Sequence, residues 1–219
     1  MRKNITITGG LGYIGTELCK IYSGESWYNK IKVIDNRFIS KRVSQLRNWN
    51  IEFIQGDILD KQFMKKQIED ADIVHHLAGI TNVAYVKAES NSKQDELIKD
   101  TAIKGTQNIL DFAKKDCKII FASTHVVFEG LKETKRNLTE EDKTETFLSY
   151  SSSKVVNEEQ IKKSGLKYII LRLASVYGYS TDTMRINIMP NLFSKIASQN
   201  GTIKLFSGGK QIKSLSPLL

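Results

Sequence analysis

Two cysteines, two prolines and three histidines are all that 219 residues hold of those types. Cys19 and Cys117 stand apart, with no CxxC pair and no histidine cluster nearby, which argues against a disulfide framework or a cysteine-built metal site. Both are expected to act as small buried hydrophobes. No apolar run approaches membrane-spanning length, and the first residues already read as strand, leaving no room for a signal peptide. A cytoplasmic protein with no membrane association is therefore expected. An array of arginines interleaved with aromatics is also missing. Basic residues outnumber acids by 33 to 24, a net charge of +9, but they are scattered, so no nucleic-acid partner is expected. The same field would favour a small phosphate-bearing ligand. There is no internal repeat or low-complexity segment. What is left is an ordinary composition, 40% hydrophobic and 26% charged, in a chain long enough for one sizeable core.

The most informative stretch lies at the start. Asn4 to Thr8 reads as a strand, Gly9-Gly10-Leu11-Gly12 as a turn, and Tyr13, Ile14, Leu18 and Ile21 as the apolar positions of a helix. The spacing Gly10-x-Gly12-x-x-Gly15 is the dinucleotide fingerprint. Its first glycine permits a tight turn, its second lets backbone approach a pyrophosphate, and its third lets the helix lie close on its strand. The helix's first N–H groups would then face the phosphates, aided by the helix dipole. The same letters also read as Thr8-Gly9-x-x-Gly12-x-x-Gly15, the form found in short-chain dehydrogenases/reductases.

Ile31 to Asp35 reads as a second strand, ending in a carboxylate placed to accept hydrogen bonds from adenosine ribose hydroxyls and to repel a 2′-phosphate. That points to NAD. Arg37, Lys41 and Arg42 just beyond could instead cradle the extra phosphate of NADP. Ile51 to Gln55 is a third strand, followed by Asp57 and Ile58, suited to an adenine's amino group and face, and by a helix from Lys61 to Ile68. Asp72 to Gly79 is a fourth strand ending in small residues that allow a cofactor to lie flat. Its His75 and His76 point to opposite faces and read as packing residues. A polar stretch, Glu89 to Gln94, precedes a helix through Leu97, Ile98, Gly105 and Phe112, in which Gly105 suggests close contact with the sheet. Lys118 to Ser123 is a fifth strand opening into Thr124, and Asn137 to Thr146 a solvated loop. The helix Ser149 to Lys163 carries Tyr150 and Lys154 one turn apart on one face. A lysine there, with an oxidised nicotinamide, would favour the phenolate and make Tyr150 a general base or acid. Lys167 to Leu173 is a sixth strand, Asn187 to Ser198 a helix, and Thr202 to Phe206 a last short strand. The alternation predicts an α/β fold with a doubly wound, mostly parallel sheet of Rossmann type.

Together, TGGLGYIG, VIDN, GDI, HHLAG, FASTHVVFEG, YSSSK and RLASVYG resemble the extended branch of the short-chain dehydrogenase/reductase family, the nucleotide-sugar epimerases and dehydratases, from residue 3 to about 213. The resemblance implies an enzyme with NAD as cofactor and a nucleotide sugar as substrate. Thr124 would hold the substrate oxygen, Tyr150 would transfer the proton, and Lys154 would bind the nicotinamide ribose and tune the tyrosine. Gly9, Gly12, Tyr13, Ile14, Asp35, Asn36, Asp57, Ile58, Leu77, Ala78 and Gly79 would line the cofactor together with Tyr150 and Lys154. It further implies a dinucleotide-binding domain over 1–175, the start of a substrate region over 176–219 whose lobe is largely absent, and a possible homodimer through the helices bearing Gly105 and Tyr150. Ala102 stands where the family usually has Asn. Ser175 replaces a frequent Asn in the sugar-proximal loop, and Lys213 and Ser214 occupy the places of an Arg-Asp pair. Ser175 and Lys213 remain the expected substrate contacts. An NADP-dependent nucleotide-sugar reductase and a non-catalytic dinucleotide-binding sensor are the alternatives.

Overall fold

Lys3–Thr8 (β1) buries Ile5, Thr6, Ile7 and Thr8 completely, as a central strand of a sheet covered on both faces must. The computed structural model describes residues 2–81, 91–180, 185–210 and 212–218. In chain order the remaining elements are α1 (Tyr13–Ser23), β2 (Tyr28–Asp35), α2 (Ser40–Asn48), β3 (Glu52–Gln55), α3 (Lys61–Ile68), β4 (Ile73–His76), α4 (Ser92–Phe112), β5 (Lys118–Thr124), α5 (Ser149–Lys163), β6 (Lys167–Leu173), β7 (Ser175–Tyr177), α6 (Met189–Ser198) and β8 (Leu215–Pro217). Six strands pair in parallel in the order β3-β2-β1-β4-β5-β6. The strand order reverses between β1 and β4, and the crevice at the carboxyl ends of those strands is where such sheets take ligands.

Side chains alternate across the sheet. Ile31 and Val33 of β2 pack with Cys19 of α1 and with Val43 and Leu46 of α2. Ile34 packs on the other face with Met64 and Ile68 of α3, Ile109 of α4 and Ile161 of α5. The neighbouring Lys32 is buried, and its Nζ donates to Asp70 at 2.6 Å and to the Gln67 carbonyl at 2.9 Å. Asp60 caps α3 by accepting the Phe63 N–H at 2.9 Å.

Several expectations change. Ile21 is 55% exposed, and Gly15, Thr16, Glu17, Cys19 and Tyr22 form the buried face of α1 instead. Helix α2 was not anticipated, because only Val43 and Leu46 of SKRVSQLRN are buried. The fourth strand ends at His76, before the small residues, and α6 begins at Met189. Thr202 to Phe206 is not a strand. The last strand is β8, paired with β7 in a separate two-stranded sheet. Of the polar stretch expected over 89–94, residues 89 and 90 lie outside the described residues. Gly105 was expected to bring its helix close to the sheet; the close contact it makes is instead with the loop after β3, where a Cβ would lie 2.3 Å from Ile58 Cδ1.

The two histidines of β4 do face apart. His75 Nε2 pairs with the Tyr22 hydroxyl at 2.7 Å, and His76 bridges the hydroxyls of Thr8 and Thr106, each at 2.9 Å. Burial pushes the His75 pKa down to about 4 and that of His76 to about 3, the latter helped by the Lys154 charge. An imidazole that takes its proton near 6.5 when unfolded but only near 3 or 4 when folded supports the fold fully above pH 6.5. That support is lost as pH falls through the acid range. Acidification from pH 7 to 5 is expected to cost about 2 kcal/mol per imidazole. Urea denaturation of the wild type and of a His75→Gln/His76→Gln double variant checks this. An identical acid loss in both would remove the histidines as its source.

Candidate functional site

The turn after β1 is built by backbone. Gly9 has φ +71° and donates its N–H to the Ile34 carbonyl at 2.7 Å, while Gly12 donates to Gly9 O at 3.0 Å. A Cβ on Gly15 would lie 2.6 Å from Gly10 Cα and 2.7 Å from Gly9 O, so α1 rests directly on the turn. The positive φ falls on Gly9 rather than Gly10, in keeping with the Thr8-Gly9-x-x-Gly12-x-x-Gly15 reading. No side chain caps the N-terminus of α1, which leaves its first N–H groups facing the crevice. Asp35 closes β2 beside the turn and accepts the Leu11 N–H at 3.1 Å.

Thr124 ends β5 and accepts the Val126 N–H at 3.3 Å, starting a 3₁₀ turn over His125–Phe128. Opposite it begins α5, whose own N-terminal residue, Leu148, offers no side-chain cap. Glu129 supplies one from a distance, accepting the N–H groups of Leu148 at 2.9 Å and Phe147 at 3.3 Å and the Ser151 hydroxyl. That fixes the turn carrying Tyr150. Lys154 lies one turn on, buried, with Nζ donating to the Ala122 carbonyl at 2.7 Å and standing 4.4 Å from the Phe121 ring centroid and 5.8 Å from that of Tyr150. Burial pushes its pKa down to about 8, against the nearby Glu158 charge.

Glu158 belongs to a polar cluster that sequence reasoning did not single out. It accepts the Ser123 hydroxyl at 2.5 Å and the Arg172 guanidinium at 2.8 to 3.3 Å across both oxygens. Burial pushes its carboxyl up, but Arg172 and Ser123 together hold it below the usual range. Such a pair is costly to break from one side, because the partner stays buried and charged. Its position links α5 to β5 and β6 directly behind Lys154.

The residues expected from sequence to carry catalysis and to bind cofactor and substrate all line one cleft of about 1430 Å³. Gly9, Gly12, Tyr13, Ile14, Asp35, Asn36, Asp57, Ile58, Leu77, Ala78 and Gly79 line one part of its wall, and Thr124, Tyr150, Lys154, Ser175 and Lys213 another. The volume exceeds that of a pocket for a single small molecule. Ser175 and Lys213 come together because the Ser175 N–H donates to the Ser214 carbonyl at 3.0 Å where β7 meets β8. Tyr13 additionally ties α1 to the segment after β7, donating its hydroxyl to the Gly178 carbonyl at 2.5 Å, and Ser180 binds Glu17 at 2.5 Å. His125 was also passed over. Its Nδ1 pairs with the Leu173 carbonyl at 3.0 Å and its ring lines the cleft. The loop expected to be plain solvated surface contributes Leu138, Thr139 and Glu140 to the wall. Among the described residues there is no cluster able to hold a metal ion, and no helix is long and apolar enough to cross a membrane.

The family model described as the NAD dependent epimerase/dehydratase family matches residues 5–215. The chain is 30% identical over 224 residues to a UDP-N-acetyl-alpha-D-glucosaminuronate decarboxylase of Bacillus cytotoxicus, covering 97% of this chain and 67% of the relative. It is also 30% identical over 198 residues to a dTDP-D-glucose 4,6-dehydratase of Dictyostelium discoideum, covering 80% of this chain but 44% of the relative. A crystal structure of a UDP-glucuronic acid 4-epimerase variant from Bacillus cereus, in complex with UDP-4-deoxy-4-fluoro-glucuronic acid and NAD, superposes with a TM-score of 0.83 at 25% identity. That match covers 98% of this chain and 69% of that one.

Proposed function

Since the chain belongs to the NAD-dependent epimerase/dehydratase family, we propose that its cleft takes NAD and a nucleotide sugar and carries out an epimerisation or dehydration through a transiently oxidised sugar. The observation that carries this reading is the convergence, on one crevice, of an uncapped helix behind a glycine turn with Thr124, Tyr150 and Lys154. The wall suits a dinucleotide: its phosphate end is backbone, where a Cβ at Gly9 would meet Ala78 at 2.7 Å, and a carboxylate stands at the ribose end.

In this reading Gly9, Gly12, Tyr13 and Ile14 hold the pyrophosphate, Asp35 and Asn36 the ribose, Asp57 and Ile58 the adenine, and Leu77 to Gly79 the floor. NAD, when bound, supplies the acceptor for the hydride of a sugar carbinol. Tyr150 takes the hydroxyl proton, Thr124 holds the same oxygen, and Lys154 binds the nicotinamide ribose while its ammonium stabilises the phenolate. The sugar would be gripped from the side of Ser175 and Lys213. Lysine there offers a point charge where arginine would offer a fork. A homodimer through α4 and α5, where Leu97 and Val156 stand exposed, and a cytoplasmic location complete the proposal.

Calorimetry with NAD followed by turnover on a panel of UDP-, GDP- and dTDP-sugars tests it. NAD binding together with conversion of at least one sugar is expected. NAD binding with no turnover anywhere in the panel would favour the dinucleotide-binding sensor instead.

A further inference from the structure

The ribose end of the cleft carries an unusual charge arrangement. The Asp35 side chain is 4% exposed, and its two oxygens are already shared among several donors. Oδ2 accepts the Leu11 N–H at 3.1 Å and Oδ1 the Arg37 N–H at 3.1 Å, while the Arg37 guanidinium lies across both, Nε to Oδ1 at 3.0 Å and Nη2 to Oδ2 at 3.1 Å. Arg42 donates to the carbonyl of the same residue, Leu11. Asp35, Arg37 and Arg42 all line the cleft. Helix α2 carries Lys41 and Arg42 in its first turn, with no acid there and no side-chain cap. Cations at that end oppose the helix dipole, an arrangement that an incoming anion would relieve.

A bare carboxylate at this place repels a 2′-phosphate. Here it is paired with a neighbour whose own side chain is 54% exposed, so the guanidinium stands at the rim of the cleft beside a buried carboxylate. Swung off Asp35, it frees an oxygen for a ribose diol. Left near the rim, it offers the planar two-point geometry that phosphate oxygens accept. We infer that Arg37 decides which dinucleotide the cleft takes, cancelling the exclusion that Asp35 would impose, so that this chain binds NADP alongside NAD. The inference rests on the dinucleotide reading of the cleft proposed above.

Isothermal calorimetry on the full chain with NAD and NADP, and with 5′-ADP and 2′,5′-ADP, tests it. In the wild type, NADP is expected to bind within about tenfold of NAD. Arg37→Ala should weaken NADP and 2′,5′-ADP by on the order of ten- to a hundredfold, the loss of a charge-assisted fork. NAD and 5′-ADP should bind as well as before or more tightly, because Asp35 is unmasked. Arg37→Lys should fall between the two, and urea midpoints of both variants check that they fold. If NAD binds but NADP is excluded from the wild type, or if Arg37→Ala weakens all four ligands equally, Arg37 merely holds Asp35 in place and the inference is overturned. If none of the four ligands binds, the dinucleotide reading of the cleft fails first and this inference fails with it.

Discussion

Tyr150→Phe is expected to lower turnover of any accepted nucleotide sugar by about 10²- to 10⁴-fold, the usual worth of a positioned general acid or base, while leaving NAD affinity nearly unchanged. The substitution removes one oxygen and keeps the ring, so the ring's packing beside Lys154 survives. A loss confined to kcat, with KM and NAD binding preserved, would mark an interaction made only on the way to the transition state. Full activity in the variant would remove Tyr150 from its role. The lysine adds a pH signature. Its proton is held only to about pH 8 because the side chain is buried. In the proposed role the ammonium would stabilise the phenolate below that value and lose its charge above it, so kcat/KM of the wild type should decline on the alkaline side of about 8. A rate flat from pH 7 to 10 would argue that Lys154 does not tune the phenol.

Gly9→Ala should be the most damaging single-methyl change in the dinucleotide half. The residue sits at φ +71°, and an added Cβ would lie 2.7 Å from both Cα and N of Ala78 and 2.9 Å from the Leu77 carbonyl carbon. Every one of those atoms is backbone, so no side chain can turn aside. The left-handed conformation costs an alanine about 1–2 kcal/mol, and the overlap about 1–3 kcal/mol more. Against a total stability of about 5–15 kcal/mol, that is a large share. Because Ala78 lines the cleft floor, the displacement should also weaken NAD. Gly24→Ala is the matched control. It follows α1 at φ −86°, and its added methyl would meet Ile21 O at an ordinary 3.6 Å. Its urea midpoint should match or slightly exceed the wild type. Equal stability and equal NAD affinity in Gly9→Ala would show that the turn can open, contrary to its geometry here.

Where sequence and structure agree, the signal was local. Helices α3 and α5 and strand β6 occupy the stretches expected for them. Where they part, a distant partner decided. Thr202 to Phe206 has a plausible strand pattern but pairs with no strand among the described residues, whereas three residues at Leu215–Pro217 become β8 because β7 lies beside them. Helix α5 was legible through its Tyr-Lys spacing, yet its buried face is Ser151, Ser153, Lys154, Asn157 and Glu158 with a single isoleucine, Ile161. No hydrophobic period announces such a face. Its side chains are buried because Ala122, Ala102, Ser123 and Arg172 supply their hydrogen bonds.

Read alone, the chain already determined a glycine turn between a strand and a helix, the alternation that makes a parallel sheet, and a phenol and an amine one helical turn apart. Each depends on covalent spacing along a few consecutive residues. Only the tertiary structure decided that Asp35, Thr124, Tyr150 and Lys213 open onto one crevice, that Glu129 caps the start of α5, and that Arg37 lies across Asp35. Those facts depend on strand order and on which charges are left facing one another, and pairings between distant segments leave no trace in local periodicity.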